Sequence, residues 1–273
     1  MANSHAATAE DLAFRFTLAV LAEAAAREAG AALMARFRRA PSGVEEKSTA
    51  TDPVSDADRE ADAIIQAHIS KARPGDVFLT EESGAVGDAG DVRWVVDPLD
   101  GTVNYLYGIA NWAVSIAAER EGRVVAGVVY QAAIDECFVA VRDGGATLNG
   151  NAIHVSTCET LDRALLGTGF DYAAATRAKQ AEVVAALMPK CRDIRRMGAA
   201  SIDLASVAAG RLDGYFEAPH GGPWDWAAGE LLVEEAGGKC RPYAPPWAPK
   251  RGALASNGRL FDALSAAVDA ESR

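Results

Sequence analysis

Apolar residues recur at helical spacing in several segments of the chain. One such pattern predicts a long Ala-rich helix over about residues 10–39, ended before Pro41. Ser55, followed by Asp58 three residues later, resembles a capping box and predicts a second helix over residues 57–71. The same spacing predicts further helices at 174–187, 201–209, 226–236 and around 260–268.

Other apolar residues form short runs bounded by turn residues, which is typical of strands. These runs lie at 77–80, 94–96, 113–118, 124–130, 137–141, from 165 onward, and 214–217. Asp143-Gly144-Gly145 and Asn149-Gly150 predict hairpin-type turns. Helices and strands alternate, with no repeat and no low-complexity linker. The pattern therefore predicts an α/β (α+β) layered sandwich with alternating helix and sheet layers, in two halves with an active site between them.

Composition and charge narrow the classes of partner. The chain has 273 residues and a formal net charge of −11, so we expect no nucleic-acid partner and no binding to an anionic membrane. No run of 18 apolar residues is present, so no membrane span is expected. The N-terminus lacks a basic segment followed by an apolar one, which predicts no signal peptide and a cytoplasmic protein.

Cysteine and histidine spacing argues against zinc. The four cysteines form no CxxC pair, and the four histidines form no HExxH motif. We expect the cysteines to be reduced thiols in or near the core, with a disulfide as the weaker alternative.

The strongest chemical signal is the segment Trp94-Val95-Val96-Asp97-Pro98-Leu99-Asp100-Gly101-Thr102. Two carboxylates follow an apolar strand, and Gly101 allows a tight turn before a short helix that starts at Thr102. This pattern places oxygen ligands for cations beside backbone N–H groups of Gly101 and Thr102 that could hold a phosphate. Taken alone, the segment fits equally well a turn in which Asp100 caps a helix.

Two further acidic segments are candidates to supply oxygen ligands for cations. Glu81 and Glu82 come directly after a predicted strand, although an isolated Glu pair is more often a solvated loop. Asp225 lies at a predicted helix start between Trp224 and Trp226, where burial would make a lone charge costly. Three acidic sites without His or Cys favour Mg²⁺ over zinc.

These motifs resemble those of the inositol monophosphatase family of lithium-sensitive phosphatases. The resemblance extends from Lys47 to the terminal helix. It rests on the 94–102 segment, on Trp224-Asp225-Trp226-Ala227-Ala228-Gly229, and on Thr80-Glu81-Glu82-Ser83 upstream. It implies one catalytic domain over residues 1–273. The half at about 1–150 would carry most metal ligands, and the half at about 151–273 would complete the site. Thr80 stands where many members have glycine.

The resemblance implies a role for each of several residues. Glu81, Asp97, Asp100, Asp225 and the backbone carbonyl of Leu99 would hold two to three Mg²⁺ ions.

Thr102 and Asp58 would orient the attacking water, with Glu81 and Lys47 also counted among the catalytic residues and Lys47 acting electrostatically. Asp52 lies in the same loop, where a loop-capping role is at least as good an interpretation.

Substrate contacts implied by the resemblance come from Asp100, Gly101, Thr102, Ala200, Glu217 and Asp225. Carboxylates suit a ring that carries many hydroxyl donors. The segment between Glu217 and Trp224 lacks a basic residue found in some relatives.

The expected activity is Mg²⁺-dependent hydrolysis of a phosphorylated polyol or sugar, first of all inositol 1-phosphate, in a homodimer. Fructose 1,6-bisphosphate, histidinol phosphate and 3′-phosphoadenosine 5′-phosphate are alternative substrates for the same chemistry. An alternative of another class is a regulatory binding protein that keeps the fold.

Overall fold

The computed structural model describes residues 8–46, 53–219 and 221–273. Its helices are α1 (Ala9–Arg36), α2 (Asp56–Ala72), α3 (Thr102–Leu106), α4 (Ala174–Leu187), α5 (Ala200–Ala208), α6 (Ala227–Glu235) and α7 (Phe261–Glu271). Its strands are β1 (Glu45–Glu46), β2 (Pro53–Val54), β3 (Val77–Thr80), β4 (Gly84–Val86), β5 (Arg93–Asp100), β6 (Ala113–Arg120), β7 (Arg123–Gln131), β8 (Glu136–Val141), β9 (Gly145–Leu148), β10 (Asn151–Ala152), β11 (Leu165–Thr168), β12 (Asp193–Arg195), β13 (Gly214–Glu217), β14 (Gly238–Tyr243) and β15 (Gly252–Asn257).

The larger sheet has eight strands in the order β10-β9-β8-β7-β6-β5-β3-β4. Neighbouring strands are antiparallel except β3 and β5, which run parallel with Thr80 opposite Val96. Residues of β6 and β7 are buried on both faces of the sheet, which explains their nearly continuous apolar runs. Parallel pairing of β3 and β5 brings their carboxyl ends to one edge.

The smaller sheet has five strands in the order β12-β11-β13-β15-β14. Strand β11 pairs in parallel with β12 and β13, whereas β15 runs antiparallel to β13 and β14. The carboxyl end of β13 carries Glu217, which lines the same cleft as Ala200 at the start of α5 and Asp225 just before α6.

Helices and sheets alternate in layers. Helices α1 and α2 pack on one face of the larger sheet, and α5 and α6 fill the space between the two sheets. Helices α4 and α7 cover the outer face of the smaller sheet. The predicted α/β layered sandwich is confirmed, and apolar clusters on both sides of each sheet hold it together.

The structure differs from the prediction at some boundaries and in some elements. Helix α1 ends at Arg36 rather than near residue 39, because Phe37 adopts a non-helical backbone with ψ 134° and Arg38 follows in a left-handed one with φ 62°. Strands β14 and β15 lie in a region for which the pattern predicts no element. Strand β15 is wholly buried but reads Gly-Ala-Leu-Ala-Ser-Asn, with no β-branched residue. Its pairing with β13 and β14 makes it a strand.

The four cysteines all lie in the described part of the chain, and none forms a disulfide. Cys137 is buried, and the other three are partly buried. Among the described residues, no helix combines the length and the apolar character needed to cross a bilayer.

Close contact between the larger sheet and α6 generates a stability prediction. A Cβ added at Gly127 in β7 would lie 3.0 Å from Cα and 3.2 Å from the carbonyl oxygen of Ala228. Because backbone atoms cannot yield as a flexible side chain does, Gly127→Ala should destabilise the fold by about 1–2 kcal/mol. Gly75→Ala is the matched control, since its Cβ would meet nothing within 4 Å. Equal unfolding free energies for the two variants in denaturant titration would contradict the prediction.

Candidate active site

Strand register brings the first two acidic sites together. Thr80, the last residue of β3, is paired with Val96 in the middle of β5, so the residues that follow them, Glu81 and Asp97, are neighbours. The backbone N–H of Glu81 donates to the carbonyl oxygen of Val96 at 3.0 Å. The parallel pairing of β3 and β5 thus places the carboxylates of Glu81 and Asp97 side by side.

The turn after β5 needs glycine. Gly101 has φ 91°, a region that L side chains rarely adopt, and a Cβ there would lie 2.9 Å from the carbonyl oxygen of Asn111. The left-handed residue ends the strand and starts α3 at Thr102, as the sequence predicts. Asp100 and Thr102 are therefore set on either side of a sharp bend.

The second half of the chain contributes Asp225 through a contact with the larger sheet. Asp97 is paired with Ser115 of β6, and the Ser115 hydroxyl donates to the carbonyl oxygen of Trp224 at 3.2 Å. Asp225 ends the short turn Pro223–Asp225, and its carboxylate accepts from the N–H of Gly222 at 3.1 Å. This contact places an acid from residue 225 beside acids from residues 81–100.

These residues line one cleft of about 410 Å³ between the two halves. The predicted site residues that line it are Glu81, Asp97, Leu99, Asp100, Gly101, Thr102, Ala200, Glu217 and Asp225. Asp58 lies behind Thr102 and contacts it. Lys47 and Asp52 lie outside the described residues.

Burial sets the electrostatics of the acids. It raises the pKa of Asp97 well above the ordinary value, and the negative charges of Glu81, Asp100 and Asp225 raise it further. The pKa of Asp225 is raised for the same two reasons. Asp100 is also buried, but hydrogen bonds from the N–H of Ser201 at 2.7 Å and from its hydroxyl oppose the effect, and its pKa is about 6.

Thr102 is fixed by two acceptors. Its hydroxyl oxygen lies 3.0 Å from Oδ1 of Asp58 and 3.0 Å from the carbonyl oxygen of Leu99. The other carboxylate oxygen of Asp58 accepts from the N–H and the hydroxyl of Ser55, at 2.9 and 2.6 Å. Asp58 is thus both the predicted capping-box residue of α2 and the partner of Thr102.

Glu217 lies on the other side of the cleft, at the end of β13. Burial raises its pKa to about 7, although the hydroxyl of Tyr215 donates to it at 2.6 Å and opposes the shift. Asp203 of α5 is nearby. Its pKa is raised by burial and by Glu217, and its Oδ1 has no hydrogen-bond partner among the described residues. Arg196 lowers the pKa of both acids.

Several residues of the cleft, among them Asp203, Arg196 and Lys250, were not identified from the sequence as site residues. Asp203 falls inside a predicted helix, where an acid normally faces solvent, and Arg196 lies at the exposed rim. Lys250 reaches the cleft from the loop between β14 and β15, and its Nζ donates to the carbonyl oxygen of Gly221 at 2.8 Å. A cation therefore stands beside the segment that lacks a basic residue of its own. No motif in the sequence around Lys250 indicates that it reaches the cleft.

The donor chemistry of the cleft fits a hard divalent cation. Buried carboxylates that repel one another carry a cost that a bound cation would remove, and oxygen ligands suit Mg²⁺. The residues that would hold it are Glu81, Asp97, Asp100, Asp225 and the carbonyl of Leu99. The acids share a cleft but do not converge on one point. In the parts of the chain that the structure describes, no three His, Cys, Asp or Glu side chains stand ready to hold a metal ion.

Comparisons with known proteins agree with the fold and the motifs. A model of the inositol monophosphatase family matches residues 16–273. Nus factor SuhB of Escherichia coli strain K12 is 45% identical over 221 residues, which are 80% of this chain and 82% of that protein. An inositol-1-monophosphatase of Mesorhizobium japonicum is 48% identical over 191 residues, covering 68% of this chain and 71% of that protein.

A solved structure shows the same architecture. The extragenic suppressor protein suhB from Bartonella henselae superposes with a TM-score of 0.84 at 37% identity, covering 92% of this chain and 98% of that one. The chain belongs to the inositol monophosphatase family. Membership implies a phosphatase that depends on a metal ion.

Asp97 provides a test of the electrostatics. Asp97→Asn removes a buried charge, so the metal-free protein should melt about 2–4 °C higher near neutral pH, the shift that about 1 kcal/mol produces in a chain of this size. A raised carboxyl pKa means that the folded wild type takes up a proton as the pH falls. The gain should therefore shrink toward about pH 4. Thermal melting with and without Mg²⁺ measures both effects.

Asp88→Asn is the control, because Asp88 is an exposed acid in the loop before β5. It should leave the melting temperature unchanged. Only the Asp97 variant should also lose stabilisation by Mg²⁺. A lower metal-free melting temperature for Asp97→Asn would show that the carboxylate is not under the repulsion described above.

Proposed function

We propose that this protein hydrolyses small phosphate monoesters, with inositol 1-phosphate as the leading substrate and Mg²⁺ as the cofactor. The observation that carries the proposal is the meeting of Glu81, Asp97, Asp100 and Asp225 in one cleft, directly beside the Thr102–Asp58 pair. Family membership supports phosphatase chemistry, and relatives named inositol-1-monophosphatase support the substrate.

Water is the nucleophile in the proposed reaction. When bound at the acids, Mg²⁺ supplies positive charge that neutralises the phosphoryl oxygens and activates water. Asp58 accepts a hydrogen bond from the Thr102 hydroxyl, so the oxygen of Thr102 presents its lone pairs to the water and orients it toward phosphorus. Backbone N–H groups at Gly101 and Thr102 hold the phosphate, and the bend at Gly101 lets them approach it.

The leaving group lies toward Glu217 in the proposal. Glu217 and Asp100 accept hydrogen bonds from hydroxyl groups of the polyol, and the backbone near Ala200 contributes at the start of α5. Acidic walls at this end of the cleft suit a neutral polyol better than a second phosphate group. Inositol 1-phosphate is therefore preferred over fructose 1,6-bisphosphate.

A comparison of four substrates tests the function. Purified protein is assayed with inositol 1-phosphate, fructose 1,6-bisphosphate, histidinol phosphate and 3′-phosphoadenosine 5′-phosphate, with Mg²⁺ and then with excess chelator. We expect inositol 1-phosphate to give the highest kcat/KM and chelator to abolish turnover, because the acids alone repel a phosphate dianion. Full turnover in chelator would refute the metal mechanism. A higher kcat/KM for another substrate would reassign the specificity.

The Thr102–Asp58 pair provides a sharper test of the mechanism. Thr102→Ala and Asp58→Asn should each lower kcat by about 10²–10⁴-fold while changing the Mg²⁺ requirement little, because orienting water matters mainly in the transition state. The double variant should be little worse than either single one if the two residues act as a unit. Steady-state kinetics and melting temperatures of the three variants measure this.

Thr168→Ala is the matched control. Its buried hydroxyl likewise donates to a backbone carbonyl, that of Phe216 at 2.8 Å, but Thr168 does not line the cleft. This variant should lose stability and keep kcat. If Thr102→Ala behaved the same way, Thr102 would be a helix-start residue and no more.

A second candidate function is a regulatory role that depends on binding another macromolecule. The relative from Escherichia coli that is 45% identical is named a Nus factor, which favours this alternative. Pull-down with wild type and with Asp225→Asn separates the two functions. Equal capture by both would support a binding role independent of catalysis, whereas no specific capture by either would argue against it.

A further inference from the structure

Helix α2 carries two buried aspartates one turn apart, Asp58 and Asp62. Only 1% of Asp58 and 2% of Asp62 is exposed. Side chains at positions i and i+4 of a helix lie on the same face, so both carboxylates point away from solvent in the same general direction. Asp58 contacts Thr102, on the segment that follows Asp97 and Asp100. Asp62 contacts the other acidic segment.

Asp62 holds the turn that contains Glu81. Its Oδ2 accepts a hydrogen bond from the hydroxyl of Ser83, and the hydroxyl of Thr80 lies 3.4 Å from the same oxygen. Nε2 of Gln66 donates to this oxygen at 2.9 Å and lies 3.3 Å from the Ser83 hydroxyl oxygen. The N–H of Ser83 donates to the Thr80 hydroxyl at 2.9 Å, which closes the turn. The residues immediately before Glu81 and two positions after it are thus both tied to one carboxylate.

Stability alone is a poor explanation for a carboxylate in this position. Asp62 is buried, and among the residues that the structure describes it forms no ion pair with Lys, Arg or His. Its Oδ1 is buried without a hydrogen-bond partner in the same part of the chain. A buried carboxylate without a cation is costly, and three donors on one oxygen offset this only in part. A residue that lowers stability where it stands, such as a buried carboxylate without a cation, is expected at a functional site.

We propose that Asp62 is a positioning residue for the cation site, which it serves by holding the Thr80–Ser83 turn so that Glu81 stays directed into the cleft. The inference rests on the proposed function, because Glu81 is a proposed metal ligand. Thr80 supplies a hydroxyl that both closes the turn and faces Asp62. Helix α2 then sets the distance between the two acidic segments, through Asp58 for one and Asp62 for the other.

The test separates cation affinity from stability. Asp62→Ala is compared with wild type by Mg²⁺ titration, followed by the rise in melting temperature and by activity on inositol 1-phosphate. Residues that hydrogen-bond behind metal ligands typically contribute about 10–100-fold to metal affinity, so the Mg²⁺ concentration at half-maximal stabilisation should rise by about that factor. At saturating Mg²⁺, kcat should fall by less than about threefold, because the reacting groups are unchanged.

Two milder variants keep the test valid if Asp62→Ala folds poorly. Asp62→Asn retains an oxygen that can accept from Ser83 and should restore part of the Mg²⁺ affinity. Ser83→Ala removes one donor and should shift the Mg²⁺ requirement in the same direction as Asp62→Ala, by a smaller factor. Unchanged Mg²⁺ half-saturation in all variants that fold would overturn the proposal.

Asp213→Ala is the matched control for a purely structural carboxylate. Asp213 accepts from the Ser156 hydroxyl at 2.6 Å and from the N–H of Leu165 at 2.7 Å, and it does not line the cleft. This variant should lower the melting temperature and leave the Mg²⁺ half-saturation unchanged. If Asp62→Ala gave the same result, its role would be structural. If wild type showed no stabilisation by Mg²⁺, the proposed metal-dependent function would fail, and the role of Asp62 with it.

Discussion

Repulsion among buried carboxylates is the constraint on which the rest of this structure depends. Asp97, Asp100 and Asp225 lie at one junction, where burial and mutual repulsion raise the pKa of each. A fold does not gather such groups for its own stability, because each desolvated charge costs free energy and each neighbour adds to that cost. The surrounding layers must supply enough apolar burial to hold the acids in place until a cation offsets their charge.

The apolar layers do this from both sides of the junction. One cluster fills the space between the larger sheet and helices α1 and α2, and another fills the space between the two sheets around α5 and α6. Small residues make the second interface close. Gly127 of β7 lies against Ala228, so α6 approaches the sheet nearly at backbone distance, and Gly229 lies against Leu204, which brings α6 close to α5. Asp225, two residues before α6, is thereby brought to the end of β5.

Polar contacts then set the positions of individual acids within that frame. Ser201 orients Asp100, Gly222 orients Asp225, and Ser115 ties Trp224 to the sheet. The side chains share a cleft without converging on one point, so within the described residues no three of them form a ready-made cation site. Contacts behind the acids matter for this reason. A turn held only by its backbone could swing Glu81 out of the cleft at little cost.

Much of the fold was predictable from local pattern. The helices α2, α4, α5 and α6, the central strands of the larger sheet and the turn at Gly101 follow from apolar spacing, capping and glycine placement, which act between residues close in sequence. Strand β15 was not predictable from local pattern, because its run of small residues becomes a strand only when β13 and β14 pair with it. The acids of the candidate cleft were also recognisable from the sequence, since each follows a strand or lies near a helix start. They also belong to the motifs that resemble those of the family.

The sequence by itself determined which residue types are present for phosphate chemistry and which local elements carry them. Only the tertiary structure decided that Asp203, Arg196 and Lys250 share the cleft, that Lys250 reaches the carbonyl of Gly221, and that Asp62 holds the turn around Glu81. These residues lie far apart in the chain and belong to no common motif. Their proximity depends on strand register and helix packing, and these are set by burial summed over the whole chain rather than by any single segment.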